Sequence, residues 1–343
     1  MNRVSPITIP VLVFSAFLTA LLSTQTNGQA PEIGIIDFYG LRHVSEAQVR
    51  QALQIKEGDS VSASREEATR RLEALPNVQQ ARLAYTCCEA GKTILYVGIS
   101  EKGAPALTFR PAPSGDARLP ANMVRAGAAL GDATERGAAK GDVSEDDSQG
   151  HALFHYPEAR AIQEKFIPFA ARNLKLLRTV LRDSADPQHR ALAAEIIGYA
   201  PDKQAVVKDL VYGMSDPDGA VRNNSMRALA IIARFAHLTP GRRIKVPTTP
   251  FINMLNSIEW TDRNKSSAVL VQLTEKRDAE LMNALRQQAL ESLVEMARWR
   301  SMHANAAFFI LGRVGNFSDQ EIQKAWDGDR EALIKEVLAR LKG

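Results

Sequence analysis

Asp146, Asp147, His151 and His155 form one short run of metal-ligating residue types, and two carboxylates with two imidazoles would suit a hydrolytic centre. The His-x-x-x-His spacing sets both rings on one face if the run is helical. No Glu stands where a zincin carries its general base, however, and the run is rich in polar residues of the kind that make loops. Helix capping and loop docking are the competing use of the same side chains. A metal-dependent enzyme built on these four is therefore the alternative reading of the chain. The first reading is a non-enzymatic binding protein with no metal and no cofactor. No Gly-x-Gly-x-x-Gly, phosphate loop or Gly-x-Ser-x-Gly occurs, and His43, His189, His237 and His303 lie in separate elements.

Cys87 and Cys88 are the only cysteines, and they are adjacent. Neighbouring Cα atoms lie about 3.8 Å apart, below the usual span of a disulfide. A vicinal disulfide and a free or intermolecular pair both stay open, and Cys-x-x-Cys redox chemistry is not encoded. Arg190 and Arg222 look functional, but each follows an Asp-Pro pair, Asp186-Pro187 or Asp216-Pro217. These repeated residues resemble HEAT-type units, and that resemblance implies a structural role for each arginine, paired between turns with an acidic residue such as Asp186 or Asp216.

The elements that hold these residues are legible from periodicity. The chain has 343 residues, too many for one ordinary core, with 45% hydrophobic and 24% charged residues as in folded, mostly soluble proteins. A net charge of +4 is mild for this size and does not call for nucleic acid. Arg242, Arg243 and Lys245, with Arg298 and Arg300, are the local basic clusters that an acidic partner or peripheral membrane association would use; solvated faces are the plainer reading. Residues 1–30 have Arg3, an apolar run from Val11 to Leu22 and a polar stretch ending in Ala30, the layout of a signal peptide cut near Ala30. That apolar run falls well short of the roughly 20 residues that span a bilayer. An exported protein, in the periplasm or at the outer membrane, is expected.

Residues 31–103 alternate short strands and capped helices. Ile33 to Tyr39 reads as a strand stopped by Gly40; Ser45 with Gln48, and Ser64 with Glu67, read as capping boxes of two helices. Ala81, Leu83 and Tyr85, then Leu95, Val97 and Ile99, alternate as a hairpin. The order is β-α-α-β-β, an α+β domain. Residues 104–157 shift toward Ala, Gly, Pro and Asp and read as a linker, partly helical from about 121 to 140. From 158 to 343 apolar residues recur at three and four, as in Leu174, Leu177 and Leu181, so this domain is all-α.

Two resemblances follow from these residues. Ile35-Ile-Asp-Phe-Tyr-Gly-Leu-Arg-His-Val-Ser45, Ile55-Lys-Glu-Gly-Asp59, Leu75-Pro-Asn-Val78 and Val97-Gly-Ile-Ser-Glu101, in that order, resemble a POTRA domain. Asp186-Pro187, His189-Arg190, Ala193, Ile197 and Gly198 match Asp216-Pro217, Val221-Arg222, Ser225, Leu229 and Ala230. With fainter copies over Asp262 to Leu273 and at Ala304, Ala307, Leu311 and Gly312, this domain resembles a HEAT-like solenoid, whose units stack to bury faces none can bury alone. The POTRA resemblance implies a protein partner or client in the bacterial cell envelope. It directs attention to the strand at Val78, Gln80, Arg82, Ala84, Tyr85 and Thr86 as an edge for an added strand, and the repeats to the inner face of the array as a groove.

Overall fold

The computed structural model describes residues 31–61, 64–104 and 107–342. The expected signal peptide, 1–30, lies outside the described residues. The N-terminal unit runs β1 (Ile33–Tyr39), α1 (Glu46–Leu53), α2 (Arg65–Glu73), β2 (Val78–Glu89) and β3 (Lys92–Glu101). Its sheet has the order β1-β3-β2. β2 and β3 are joined by a tight turn and pair antiparallel, whereas β1 reaches β3 through the α1–α2 crossover and pairs parallel. Gly40 ends β1 with φ +79°; a Cβ there would meet the Ile99 carbonyl oxygen, so glycine is obligatory.

The Ser45–Gln48 capping box forms, and Val44 and Val49 beside it are buried. The box expected at Ser64 does not: α2 begins directly after Ser64 without a capping bond from its side chain. Val49, Leu53, Ala68 and Leu72 cover one face of the sheet, meeting Ile36, Ala81, Leu83, Leu95 and Val97. The other face is also apolar. Tyr39, Ile94 and Tyr96 belong to the core of the helical array, so β3 is buried on both sides.

The array comprises α4 (Pro157–Asp183), α5 (Pro187–Ile197), α6 (Lys203–Gly213), α7 (Gly219–Leu238), α8 (Thr249–Met254), α9 (Trp260–Leu273), α10 (Ala279–Gln288), α11 (Leu290–Ala297), α12 (Ala304–Val314), α13 (Asp319–Asp327) and α14 (Arg330–Arg340). α5, α7, α9, α12 and α14 pack successively into one layer, backed by α4, α6, α8, α11 and α13 respectively. This alternation is what stacked helix pairs require.

A third layer closes over the first. Between the sheet and α4 the chain forms α3 (Ala121–Ala139) and a small hairpin, β4 (Glu145–Asp146) with β5 (Leu153–Phe154). α3 packs on α4 and α5, the hairpin reaches α7 through Glu145–Arg227 and Asp147–Arg234, and the sheet lies on α9, α11 and the loop between α11 and α12. The segment read as a linker is thus docked over its described length. Its extended part runs along the array's loops: Arg110 N–H donates to the Ser215 carbonyl (2.9 Å), Ala185 N–H to the Gly115 carbonyl (2.7 Å) and Leu119 N–H to His189 Nδ1 (2.9 Å). Composition hid this because the partners of its backbone groups, and of Phe109 and Leu119, lie far along the chain.

Candidate functional site

The two arginines of the repeated motif do the same local job. Arg190 grips Asp216 of the following repeat with Nε and Nη2, both at 2.9 Å, while Nη1 donates to the Ser184 carbonyl of its own loop (2.9 Å). Arg222 repeats this on Asp262 (3.0 Å) and the Asp216 carbonyl (2.9 Å), and Arg263 on Glu295 (3.0 Å) and the Ser257 carbonyl (2.6 Å). Each guanidinium ties its own loop to the next repeat. Of the two acids expected to pair with the arginines, Asp216 takes Arg190, while Asp186 caps α5 and takes Arg118 (2.8 Å). The extended segment adds to the same row: Arg110 pairs with Asp216, and the Phe109 ring lies 3.9 Å beneath the Arg222 guanidinium carbon. Arg190, Arg222 and Arg263, with Asp216 and Asp262, are buried and paired, so their role is structural.

Farther along the row the sheet docks through rings. Tyr96 stacks on Trp260 at 4.9 Å and 20°, packs against Trp299 at 5.0 Å, and its hydroxyl lies 2.5 Å from Ser301 Oγ and 2.7 Å from His303 Nδ1. Tyr39 donates to the Ile258 carbonyl (2.7 Å). Burial, with the nearby Lys265, pulls His303 down to about 4, so it is a neutral acceptor or donor here. Asp37, Gly40 and Glu89 hold Arg300, Glu295 and Met302 around the rings. The inner groove expected of an open array is therefore occupied by the chain's own N-terminal part.

The four candidate metal ligands are not brought together. Asp146 accepts from Ser148 N–H (3.0 Å), Asp147 pairs with Arg234 (3.3 Å), and His155 meets Ser144 Oγ (2.9 Å). His151 lies 3.3 Å from Lys203 Nζ, and burial together with that cation lowers it to about 4. Residues 151 and 155 straddle β5, so the one-face helical spacing does not arise. Among the described residues no group of three or more His, Cys, Asp or Glu is arranged to hold a metal ion. Cys87 is disulfide-bonded at the exposed end of β2.

Of the basic clusters, Arg298 pairs with Glu331 (2.8 Å) and Arg300 with Glu57 (2.5 Å). Arg242, Arg243 and Lys245 stay exposed on the loop after α7. Among the described residues no helix is long and apolar enough to cross a membrane.

The sheet edges differ. β1 is blocked: Ile33 N–H donates to Asp59, Gly58 N–H to Ile33, and Arg300 to the Ile36 carbonyl. β2 is outermost and pairs with β3 alone. Ala81 turns its N–H to Glu73 (3.1 Å) and its carbonyl to Arg82 (2.9 Å), so Leu83 and Tyr85, in phase with it, also point their backbone groups away from β3. Of the six residues singled out there, Arg82 bonds Glu259 (2.8 Å) and Ala84 packs on the array core. Val78 is buried beneath α2, while Gln80, Tyr85 and Thr86 are partly exposed.

Residues 174–238 match the family model of HEAT repeats, so the chain is a helical repeat protein over that stretch, carrying a small N-terminal sheet. Among curated proteins none matches it. Solved structures similar to it include a computationally designed armadillo repeat protein for modular peptide recognition (15% identity, 54% of this chain and 92% of that one, TM-score 0.34). Another designed armadillo repeat protein, in complex with the peptide (KR)4, has 15% identity over 54% of this chain and 92% of that one, with TM-score 0.34. So distant a likeness says nothing of what this chain binds.

Proposed function

We propose that the chain is an exported, non-enzymatic scaffold of the cell envelope that holds a protein partner at the β2 edge of a POTRA-like N-terminal unit. One observation carries the reading: among the described residues β2 is the outer strand and pairs with no strand but β3, while β1 and the inner layer of the repeats are covered by the chain itself. An extended segment of a partner adding to Leu83 and Tyr85 would satisfy backbone groups that point outward, with the sheet held rigid by its dock on α9, α11 and the loop after α11. HEAT repeats over 174–238 are the kind of frame that presents such a unit.

The test is affinity capture from envelope extract with the chain beginning at Pro31 and with its Tyr85→Pro variant, which removes one outward N–H without touching the β2–β3 ladder. Melting curves check that the variant folds. A protein retained by the first chain and lost from the folded variant supports the reading; equal capture by both sinks it. Fractionation with sequencing of the mature N-terminus tests export, which predicts Pro31 as the first residue.

A further inference from the structure

We propose that the cleft between α3 and α5 is a binding site for a slender alkylammonium group, with Glu195 as its counter-ion. The cleft encloses about 230 Å³ and is bounded by α3, the β4–β5 hairpin, α5 and α7. It opens at a definable place. At Gly127 of α3 an added Cβ would strike Leu192 of α5 at 2.8 Å, whereas one turn on, at Gly131, it would meet nothing within 4 Å. The helices part there, and the walls are small residues, Gly131, Gly150 and Ala228 among them.

The polar side chains around the cleft are spoken for, with one exception. Tyr199 donates to the Ala152 carbonyl (2.8 Å), and Thr261, Asn223, Asn224 and the Ala191 carbonyl form a closed chain of hydrogen bonds at 2.7, 3.1 and 3.0 Å. Arg227 is committed to Glu145. The Glu195 carboxyl lines the cleft and makes no hydrogen bond among the described residues. Burial holds it above the usual carboxylate range, against the pull of Arg227 and with the push of Glu145.

A carboxylate offers acceptors only, so its natural complement is a donor with positive charge. Arg227 is bonded to Glu145, so an ammonium entering beside Glu195 would supply the hydrogen-bond donor that its carboxyl lacks. The approach past Gly131, where a Cβ would meet nothing within 4 Å, leaves room for a methylene chain to bring its ammonium to Glu195. Either a free amine or a lysine side chain of a partner presents this group.

Titration of the whole chain with n-butylammonium, with Nα-acetyl-lysine methylamide and with neutral n-butanol, followed by amide chemical shifts of α3 and α5, tests the site. Both ammonium probes are expected to bind and to shift Gly131 and Glu195, and n-butanol is not. Tighter binding of the blocked lysine assigns the site to a peptide, and tighter binding of butylammonium to a free amine. Glu195→Gln, nearly isosteric, should weaken binding about tenfold or more, as loss of a charged hydrogen bond does. Gly131→Leu should fill the cleft and remove binding, and Gly131→Ala should retain it. No shift by about 10 mM of either ammonium probe, in the millimolar range where one such contact acts, overturns the proposal. So does a folded Glu195→Gln protein that binds as the wild type does.

Discussion

Arg190 and Asp216 form a bidentate pair across two successive repeats, both fully buried, with two hydrogen bonds of 2.9 Å. Asp216 also takes Arg110 from the extended segment and the Asp218 N–H (2.9 Å), so one carboxylate joins two repeats, a loop and the covering layer. Replacing Asp216 by Ala leaves buried guanidinium groups without a counter-charge, which costs ~3–5 kcal/mol. The double change Arg190→Met with Asp216→Leu should cost less than that, a result that urea unfolding of the three proteins reads directly.

Lys265 is the inverse case, a fully buried amine with no hydrogen-bond partner among the described residues. Burial, with the nearby Arg227, lowers it to about 7. In the unfolded chain it titrates near 10.4, so between about pH 7 and 10 the unfolded state holds more protons and stability rises with pH. Below about pH 7 the penalty is complete. Lys265→Met should therefore stabilise the protein by ~1–4 kcal/mol at neutral pH and flatten that rise. Unfolding at pH 6.5, 8 and 9.5 compares the slopes.

Tyr96 carries the dock of the sheet. Removing its ring by Tyr96→Ala should cost ~3–5 kcal/mol. The loss is local: amide exchange should quicken in β1–β3 and in α9 while α4–α6 stay protected. Uniform acceleration would mean the sheet is not a separable layer.

Gly98 tests the closeness of that dock. A Cβ there would sit 2.5 Å from the Ile258 carbonyl oxygen and 2.7 Å from the Tyr39 ring, both fixed parts of the interface. Gly98→Ala should lever the sheet from α9 and make Trp260 fluorescence shift to the red, as the ring meets water.

The helical repeats and the β-α-α-β-β order are written in periodicity, because each depends on residues close in the chain. What was hidden depends on distant ones. α9 reads Trp-Thr-Asp-Arg-Asn-Lys-Ser-Ser, polar on every side, yet it is buried, with neighbours supplying partners for three of its polar residues: Asn223 for Thr261, Arg222 for Asp262, Glu295 for Arg263. The run 107–119 shows no helical or strand period and takes its order from backbone bonds, ion pairs and apolar contacts with residues found only later in the chain. Glu195 stands in an apolar helix with nothing local to mark it; only the parting of α3 from α5 gives it a role.

The sheet's contacts set a clock. Asp37 accepts from the backbone of Arg300, 263 residues further on, so at ~5–20 residues per second the strand waits on the order of tens of seconds for its seat to be made. Throughout that interval Tyr39, Ile94 and Tyr96 face water, and nothing synthesised in the meantime can shield them as Trp260 and Trp299 finally do. That face of the sheet stays adhesive until Trp299 and Arg300 have been made.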